Sequence, residues 1–151
     1  MTEGGAQEAL KLKVADLEDL DVVSSVLQDA VVPVADIDYF PERQCFALVA
    51  SRFRWERNQV HPSSKRGERV LCGVTFHNVT GVVRKGLDKR RPGDFLSLLA
   101  IRNVANDQRS AVELVFSGDT AIRLDVTRLD CEVEDFGEPW PTLWRPSHGN
   151  A

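Results

Sequence analysis

The sequence predicts an α+β fold: an antiparallel β-sheet of six to eight strands, curled into a sandwich or partial barrel, with one N-terminal α-helix. Most of the chain alternates apolar and polar residues with a period of two, which is typical of strands that bury one face. Only one stretch, near the N-terminus, repeats its apolar residues at spacings of three and four. Because no helix separates one predicted strand from the next, the pattern excludes a parallel α/β design.

Length and composition are those of one soluble domain. The 151 residues are 42% hydrophobic and 28% charged, which is ordinary for a single-core globular protein. We expect residues 1–151 to form one globular domain, with residues 1–9 frayed and residues 137–151 a Pro- and Trp-rich irregular tail over the surface. No apolar run approaches the roughly 18 residues that span a bilayer, and the first residues are too polar for a signal peptide. We therefore expect a cytoplasmic location and no membrane partner.

The first two predicted elements are a short strand and the helix. Residues 10–14 alternate, which is typical of an edge strand protected by lysines. Asp16 is a favourable N-cap, and apolar residues then recur at helical spacing as far as Val31, until Pro33 stops the pattern. This predicts an amphipathic helix of about fifteen residues.

The middle of the chain is predicted to be strands joined by polar loops. Strands are predicted at residues 34–40, 44–56, 70–83 and 95–102. Gly81 is a candidate bulge in the third of these, with a turn at residues 78–81 as the alternative. A short helix is the alternative for residues 95–102. Residues 57–67 are predicted to be a loop.

The clearest pattern is a β-hairpin between residues 111 and 126. Alternating apolar residues flank the sequence Ser-Gly-Asp-Thr, which is a turn signal. After Val126 the apolar positions change parity. We therefore expect a bulge or corner at Thr127 and Arg128, because a slip of one residue would otherwise turn every side chain to the wrong face.

The net charge of −4 conceals a segregation of charge. Residues 52–91 contain eleven basic and three acidic residues, so this segment carries +8 and the remainder −12. The segment is therefore a candidate for binding RNA or another phosphate-rich polyanion. The candidate residues are Arg52, Arg54, Trp55, Lys65, Arg66, Arg69, Arg84, Lys85, Lys89, Arg90 and Arg91. The alternative is that these charges are solvated or paired, and a turn at residues 78–81 is needed to bring the two basic loops into one patch.

The Pro- and Trp-rich tail is the second candidate surface. Trp140 and Trp144 are costly to leave in water, so we expect the tail to anchor on the sheet and to offer a site for a partner. The favoured interpretation is a non-enzymatic interaction module that binds a protein or a small ligand through a sheet face or this tail. The oligomeric state is left open.

The residues contain no recognisable catalytic or metal-binding motif. His61, His77 and His148 lie in separate segments, and Cys45, Cys72 and Cys131 are expected to be buried reduced thiols. Neither a Gly-x-Ser-x-Gly elbow nor a phosphate-binding glycine loop is present. We expect no catalytic residue, no metal and no cofactor. An enzyme whose site is assembled from loops remains the third interpretation.

Four stretches together resemble a known family. They are residues 27–56, 68–82, 95–102 and 121–137, and the most specific parts are Leu-Gln-Asp-Ala at 27–30 and Arg-Phe-x-Trp-Glu at 52–56. The chain resembles, over roughly residues 10–148, a bacterial family found mainly in alphaproteobacteria and known as domain of unknown function 2948. The resemblance implies a family and a source group, and it brings no assigned catalytic residues.

Overall fold

The computed structural model describes residues 9–55, 67–108 and 110–142, and these contain one α-helix and ten β-strands. The elements in chain order are β1 (Lys11–Val14), α1 (Leu17–Val26), β2 (Ala30–Pro33), β3 (Ile37–Phe40), β4 (Cys45–Phe53), β5 (Gly67–Phe76), β6 (Val79–Lys85), β7 (Phe95–Asn103), β8 (Ser110–Phe116), β9 (Thr120–Val126) and β10 (Cys131–Thr142). The predicted α+β class and antiparallel pairing are confirmed.

All ten strands belong to one open antiparallel sheet. Its order is β1-β10-β5-β4-β2-β7-β8-β9-β6, and β3 pairs with β4 outside this path. The prediction of six to eight strands was therefore too low, and the predicted sandwich or partial barrel is wrong because the sheet is open. The two additions are β2, which lies where the helical spacing predicted the end of the helix, and β6, which is separated from β5 rather than continuous with it.

The helix is shorter than its apolar spacing predicted. Asp16 caps it as expected, because its Oδ1 accepts a hydrogen bond of 2.8 Å from the Asp19 backbone N–H. The helix ends at Val26, and Asp29 then adopts a left-handed conformation with φ 66°. Residues Ala30 to Pro33 pair with β7 instead of continuing the helix. Two apolar patterns thus overlap here, and sheet pairing overrides the helical one.

Two corners connect the opposite ends of the sheet. The chain turns at His77 and Asn78 between β5 and β6, and again at residues 127–130 between β9 and β10. The corners are bonded to each other: His77 N–H donates to the Asp130 carbonyl at 2.8 Å, and Thr127 N–H donates to the Asn78 carbonyl at 3.0 Å. The predicted corner after Val126 is confirmed.

Most other strand predictions are confirmed. Residues 95–102 lie in strand β7 rather than in a helix, and β8 and β9 form the predicted hairpin. Gly81 follows a register shift in the β6–β9 pairing, as the predicted bulge requires. A hairpin turn at residues 78–81 is not formed, because β6 pairs with β9.

The inner face of the sheet and one side of α1 enclose a single hydrophobic core. Leu20, Val23 and Leu27 contribute fully buried side chains from the helical segment. The helix is also tied to the sheet by a hydrogen bond of 2.9 Å from Ile101 N–H to Ser24 Oγ. Among the described residues, no helix has the length and apolarity that crossing a membrane requires.

The prediction of an irregular tail is corrected for residues 137–142. Strand β10 continues to Thr142 and pairs with the beginning of β5, opposite residues 67–69. A register shift between Phe136 and Trp140 accommodates Gly137, which has φ 78°. The pairing of β10 with β1 ends at Glu134, so the later part of β10 pairs with β5 alone and is an edge of the sheet. Prolines are tolerated on an edge strand. Trp144 lies outside the described residues.

Candidate binding face and its buried support

The outer face of β4, β5 and β10 is built from rows of directly opposed residues. In an antiparallel sheet such residues share a face, and successive rows are two residues apart. The rows are Phe53–Arg69–Trp140, Ser51–Leu71–Phe136, Val49–Gly73–Glu134 and Ala47–Thr75–Glu132. We define the β5–β10 face by its residues. They are Leu71, Gly73 and Thr75 of β5 and Glu132, Glu134, Phe136 and Trp140 of β10.

One end of the β5–β10 face is apolar and exposed. Leu71, Phe136 and Trp140 are 37%, 45% and 38% exposed. The Phe136 ring leans over the neighbouring glycine, since its Cε1 lies 3.8 Å from the position that a Cβ on Gly73 would occupy. Large apolar side chains that line up on one sheet face, rather than being scattered, are typical of an interaction surface.

A shallow depression lies beside these apolar residues. Its volume is about 330 Å³, and it is lined by Gly73, Thr75, Glu132, Glu134 and Phe136. The absent side chain of Gly73 leaves room at its floor, while the two glutamates supply negative charge along one wall. The depression can therefore accept a small apolar or basic group rather than enclose a whole cofactor.

The other end of the face reaches the two chain corners. There His77 Nε2 lies 2.9 Å from Glu132 Oε2, and Asp130 is the third member of a group whose ligand atoms lie within 4.8 Å of one another. In the sequence, His77 is one of three histidines that lie in separate segments. This spacing gave no signal for this group, because Asp130 and Glu132 approach His77 only through the pairing of the two corners.

Beneath the face, on the core side of the sheet, Arg52 and Asp135 form a buried ion pair. Arg52 Nε donates to Asp135 Oδ1 and Arg52 Nη2 donates to Asp135 Oδ2, both at 2.8 Å. Their side chains are 0% and 2% exposed. Leu10 N–H also donates to Asp135 Oδ2 at 2.9 Å. Burial alone would raise the pKa of Asp135, but the hydrogen bonds from Arg52 and Leu10 outweigh it and hold that pKa below its usual value.

Two further arginines are buried near the end of β4. Arg54 Nη1 donates to Glu68 Oε1, and Arg69 Nη1 donates to the Ser51 carbonyl at 2.9 Å. The Arg69 guanidinium also lies 5.9 Å from the centroid of the Phe53 ring. Burial lowers the pKa of Arg69, an effect that the Asp29 carboxylate opposes.

The two most specific parts of the sequence resemblance meet here. Trp55 Nε1–H donates to the Gln28 carbonyl at 3.4 Å, and the Trp55 and Phe53 rings pack edge-on with centroids 4.7 Å apart. Asp29 N–H in turn donates to the Leu98 carbonyl at 2.8 Å. The turn at residues 27–30 thus braces the end of β4, so these residues support the face rather than form an exposed site.

Several of the predicted polyanion-binding residues are therefore not on an exposed surface. Arg52, Arg54 and Arg69 are buried, and Trp55 is half-buried. Both faces of the chain are covered here, and Asp135 and Glu68 pair with Arg52 and Arg54 respectively. Lys65 and Arg66 lie outside the described residues. The joining of the two basic loops into one patch involves these residues and therefore stays a prediction.

The second basic segment lies at the β6 edge of the sheet and in the turn after it. Arg90 is committed to structure, because its Nη2 donates to the Gly118 carbonyl at 2.7 Å and its Nε to Thr120 Oγ1 at 3.3 Å. Arg84, Lys85, Lys89 and Arg91 are exposed, and none forms an ion pair within residues 9–55, 67–108 and 110–142. These four are the exposed remainder of the predicted basic surface.

The three cysteines are free thiols, and two of them are buried. Burial, reinforced by the Asp135 carboxylate, raises the pKa of Cys72 to about 12. Burial and the Asp130 carboxylate also raise the pKa of Cys131. Both thiols are therefore protonated near neutral pH and are poor nucleophiles.

The buried ion pair of Asp135 was not predicted from the sequence. The parity of β10 places Asp135 in the same inward row as Cys131 and Val133. A carboxylate in an apolar row requires a buried cationic partner. That was the available signal, although the sequence does not identify the partner as Arg52, 83 positions away.

A family model described as "Protein of unknown function (DUF2948)" matches residues 10–148 of the chain. No curated protein and no solved structure matches it. The match covers most of the 151 residues and includes every described element. The chain belongs to this family.

Proposed function

We propose that the protein is a non-enzymatic interaction module that binds a protein partner through the β5–β10 face. The observation that carries this proposal is the alignment of three exposed apolar side chains, Leu71, Phe136 and Trp140, on one sheet face. Large aromatic side chains supply much of the binding energy at protein interfaces. The adjoining depression offers a pocket into which a side chain of the partner can insert.

The rigidity of the face supports this proposal. Leu71 and Phe136 are direct partners in the β5–β10 ladder, while Arg52 and Asp135 join β4 to β10 on the core side of the sheet. A surface held in its binding conformation loses less entropy on association than a mobile loop. Glu132 and Glu134 favour a partner that places a basic side chain beside its apolar contact.

The test is a comparison of affinity purifications from the native cells at low and high salt. The tagged wild-type chain is compared with Trp140→Ala and Phe136→Ser variants and with a Phe95→Ser control. Phe95 is 66% exposed on β7, away from the face, so the control removes an aromatic ring that is even more exposed than Phe136 or Trp140.

A stoichiometric protein that survives high salt, is lost with either face variant and is retained by the control would support the proposal. Retention of the same proteins by both face variants would overturn it, provided that circular dichroism shows native folding.

A cytoplasmic location is part of this proposal, because three free cysteines suit a reducing compartment.

A polyanion-binding function is the alternative, and it is supported by the exposure of Arg84, Lys85, Lys89 and Arg91. Binding by these residues would weaken steeply with salt, because each neutralised phosphate releases counterions. Replacing Lys89 and Arg91 with Gln should then reduce RNA binding and its salt dependence. Arg102→Gln is the matched control, since Arg102 already pairs with Glu113.

A further inference from the structure

His77, Asp130 and Glu132 form a compact group of nitrogen and oxygen ligands at the corner of the sheet. One ligand atom from each side chain lies within 4.8 Å of the other two, and all three residues are half-buried. His77 Nε2 and Glu132 Oε2 are 2.9 Å apart. A cross-strand ion pair accounts for these two residues, but it does not require Asp130.

The backbone holds the three residues in this arrangement. His77 immediately follows β5, Asp130 immediately precedes β10, and Glu132 is the second residue of β10. The His77 N–H donates to the Asp130 carbonyl at 2.8 Å, so the two corners cannot separate without losing a backbone hydrogen bond. The ligands are thus carried by paired strands rather than by a long loop, which limits the rearrangement needed to bind an ion.

The geometry points to a binding site for a divalent transition metal, and we propose that His77, Asp130 and Glu132 bind Zn²⁺ or a similar ion. One imidazole and two carboxylates are common ligands for zinc, and three protein ligands leave a coordination position open. Cys131 lies between Asp130 and Glu132 in sequence, but it is fully buried on the core side of β10. The proposed ligands are therefore nitrogen and oxygen atoms without a thiolate.

This inference goes beyond the proposed partner binding and does not depend on it. We call His77, Asp130 and Glu132 the triad. Trp140 lies at the opposite end of the β5–β10 face from the triad, eight residues further along β10 than Glu132. Glu132 is shared between the metal ligands and the wall of the depression, but the three apolar residues that carry the partner proposal are not metal ligands. A Trp140→Ala variant should therefore lose its protein partner and keep its affinity for Zn²⁺.

The experiment is calorimetric titration of the full chain, stripped of metal with a chelator, with ZnCl₂. His77→Ala, Asp130→Asn and Glu132→Gln each remove one ligand. Glu134→Gln is the matched control, because it removes the next outward carboxylate of the same strand and lies outside the triad. Circular dichroism establishes that each variant is folded, and His77→Gln replaces His77→Ala if the latter is not.

We expect the wild type to bind one Zn²⁺ at this site and each triad substitution to weaken that binding at least about tenfold, since loss of even an outer-shell partner has an effect of that size. The Glu134→Gln control should bind as the wild type does. The proposal is overturned if the wild type does not bind Zn²⁺. It is also overturned if His77→Ala binds with unchanged affinity, because the ion is then held by other residues.

A spectroscopic titration with Co²⁺ gives an independent readout. Co²⁺ bound with fewer ligands than in water should show a stronger visible absorption band, in the wild type and in the control. The band should be absent from His77→Ala. Equal spectra from the wild type and His77→Ala would contradict the assignment of His77 as a ligand.

Discussion

The guanidinium of Arg52 and the carboxylate of Asp135 form two parallel hydrogen bonds of 2.8 Å in the interior of the protein. Arg52 comes from the end of β4 and Asp135 from β10, and β5 lies between these strands in the sheet. The pair therefore links two strands that are not neighbours. Because both side chains are almost fully buried, loss of Arg52 leaves the Asp135 carboxylate buried without its cationic partner.

Breaking this pair should strongly destabilise the protein. We expect Arg52→Met to lower the free energy of unfolding by about 3–5 kcal/mol, because it leaves Asp135 buried and uncompensated. The double variant Arg52→Met/Asp135→Leu should recover much of that loss, since it removes both charges. Urea denaturation measures all three proteins.

The exposed pair of Arg102 and Glu113 is the control for that experiment. Arg102 is 63% exposed, so Arg102→Met should cost less than about 1 kcal/mol. A similar small effect for Arg52→Met would show that the buried pair contributes no more than a surface pair.

The same carboxylate should make stability depend on pH in the acid range. The pKa of Asp135 is lower in the folded protein than in an unfolded chain, where Asp titrates near about 3.9. Its contribution is therefore present above the unfolded value and is lost as the pH falls towards the folded pKa. Between about pH 5 and pH 2, the unfolding free energy of the wild type should fall more steeply than that of Asp135→Asn.

A matched carboxylate variant separates this effect from general acid unfolding. Glu113→Gln removes an acidic side chain from the surface pair and should leave the acid slope close to that of the wild type. Identical slopes for the wild type and Asp135→Asn would rule out Asp135 as the source of the pH dependence.

Gly118 should be more sensitive to substitution than Gly137, although both have positive φ angles, of 71° and 78°. A Cβ on Gly118 would overlap the Arg90 guanidinium, whereas a Cβ on Gly137 would meet no atom within 4 Å. Gly137→Ala should cost about 1–2 kcal/mol from its left-handed conformation alone. Gly118→Ala should cost more, because it also displaces Arg90 from the hairpin.

The double variant Gly118→Ala/Arg90→Ala tests this explanation. Without the guanidinium, the added methyl group has space, so the two substitutions should be less harmful together than the sum of their separate effects. Thermal unfolding of the four proteins measures the coupling. Strict additivity would mean that the overlap with Arg90 is not the cause.

The thiols should differ in their reactivity. Cys72 and Cys131 are fully buried and their pKa values are raised, while Cys45 is partly exposed. At pH 8, a disulfide reagent should modify Cys45 well before the other two. In a denaturant all three should react at similar rates. Rapid modification of Cys72 in the folded protein would contradict its burial.

Local signals in the sequence predicted the elements that depend on neighbours along the chain. The Asp16 cap, the hairpin around Gly118 and the bulge at Gly81 each follow from a few adjacent residues. Strand β2 was missed because Val31 also fits a helical spacing, and the choice was made by pairing with β7, more than sixty residues later.

The candidate site depends on contacts that no local pattern contains. The β5–β10 face joins residues 71–75 to residues 132–140, and the partners of the buried arginines come from other strands. Alternation alone could not show that Arg52 and Arg69 face opposite sides of the sheet and are both covered. The position of Trp140 on an exposed strand likewise required the register shift that accommodates Gly137.

The pairing of β1 with β10 also constrains when the first strand can fold. Residues Lys11 to Val14 bond to Glu134 to Cys131, so their partner is synthesised about 120 residues later. A ribosome must therefore release nearly the whole chain before the first strand can enter the sheet. Such distant contacts slow folding, because a long loop must close before the hydrogen bonds between β1 and β10 can form. Truncation near the C-terminus should thus leave an unpaired segment at the start of the chain, where it becomes accessible to proteases.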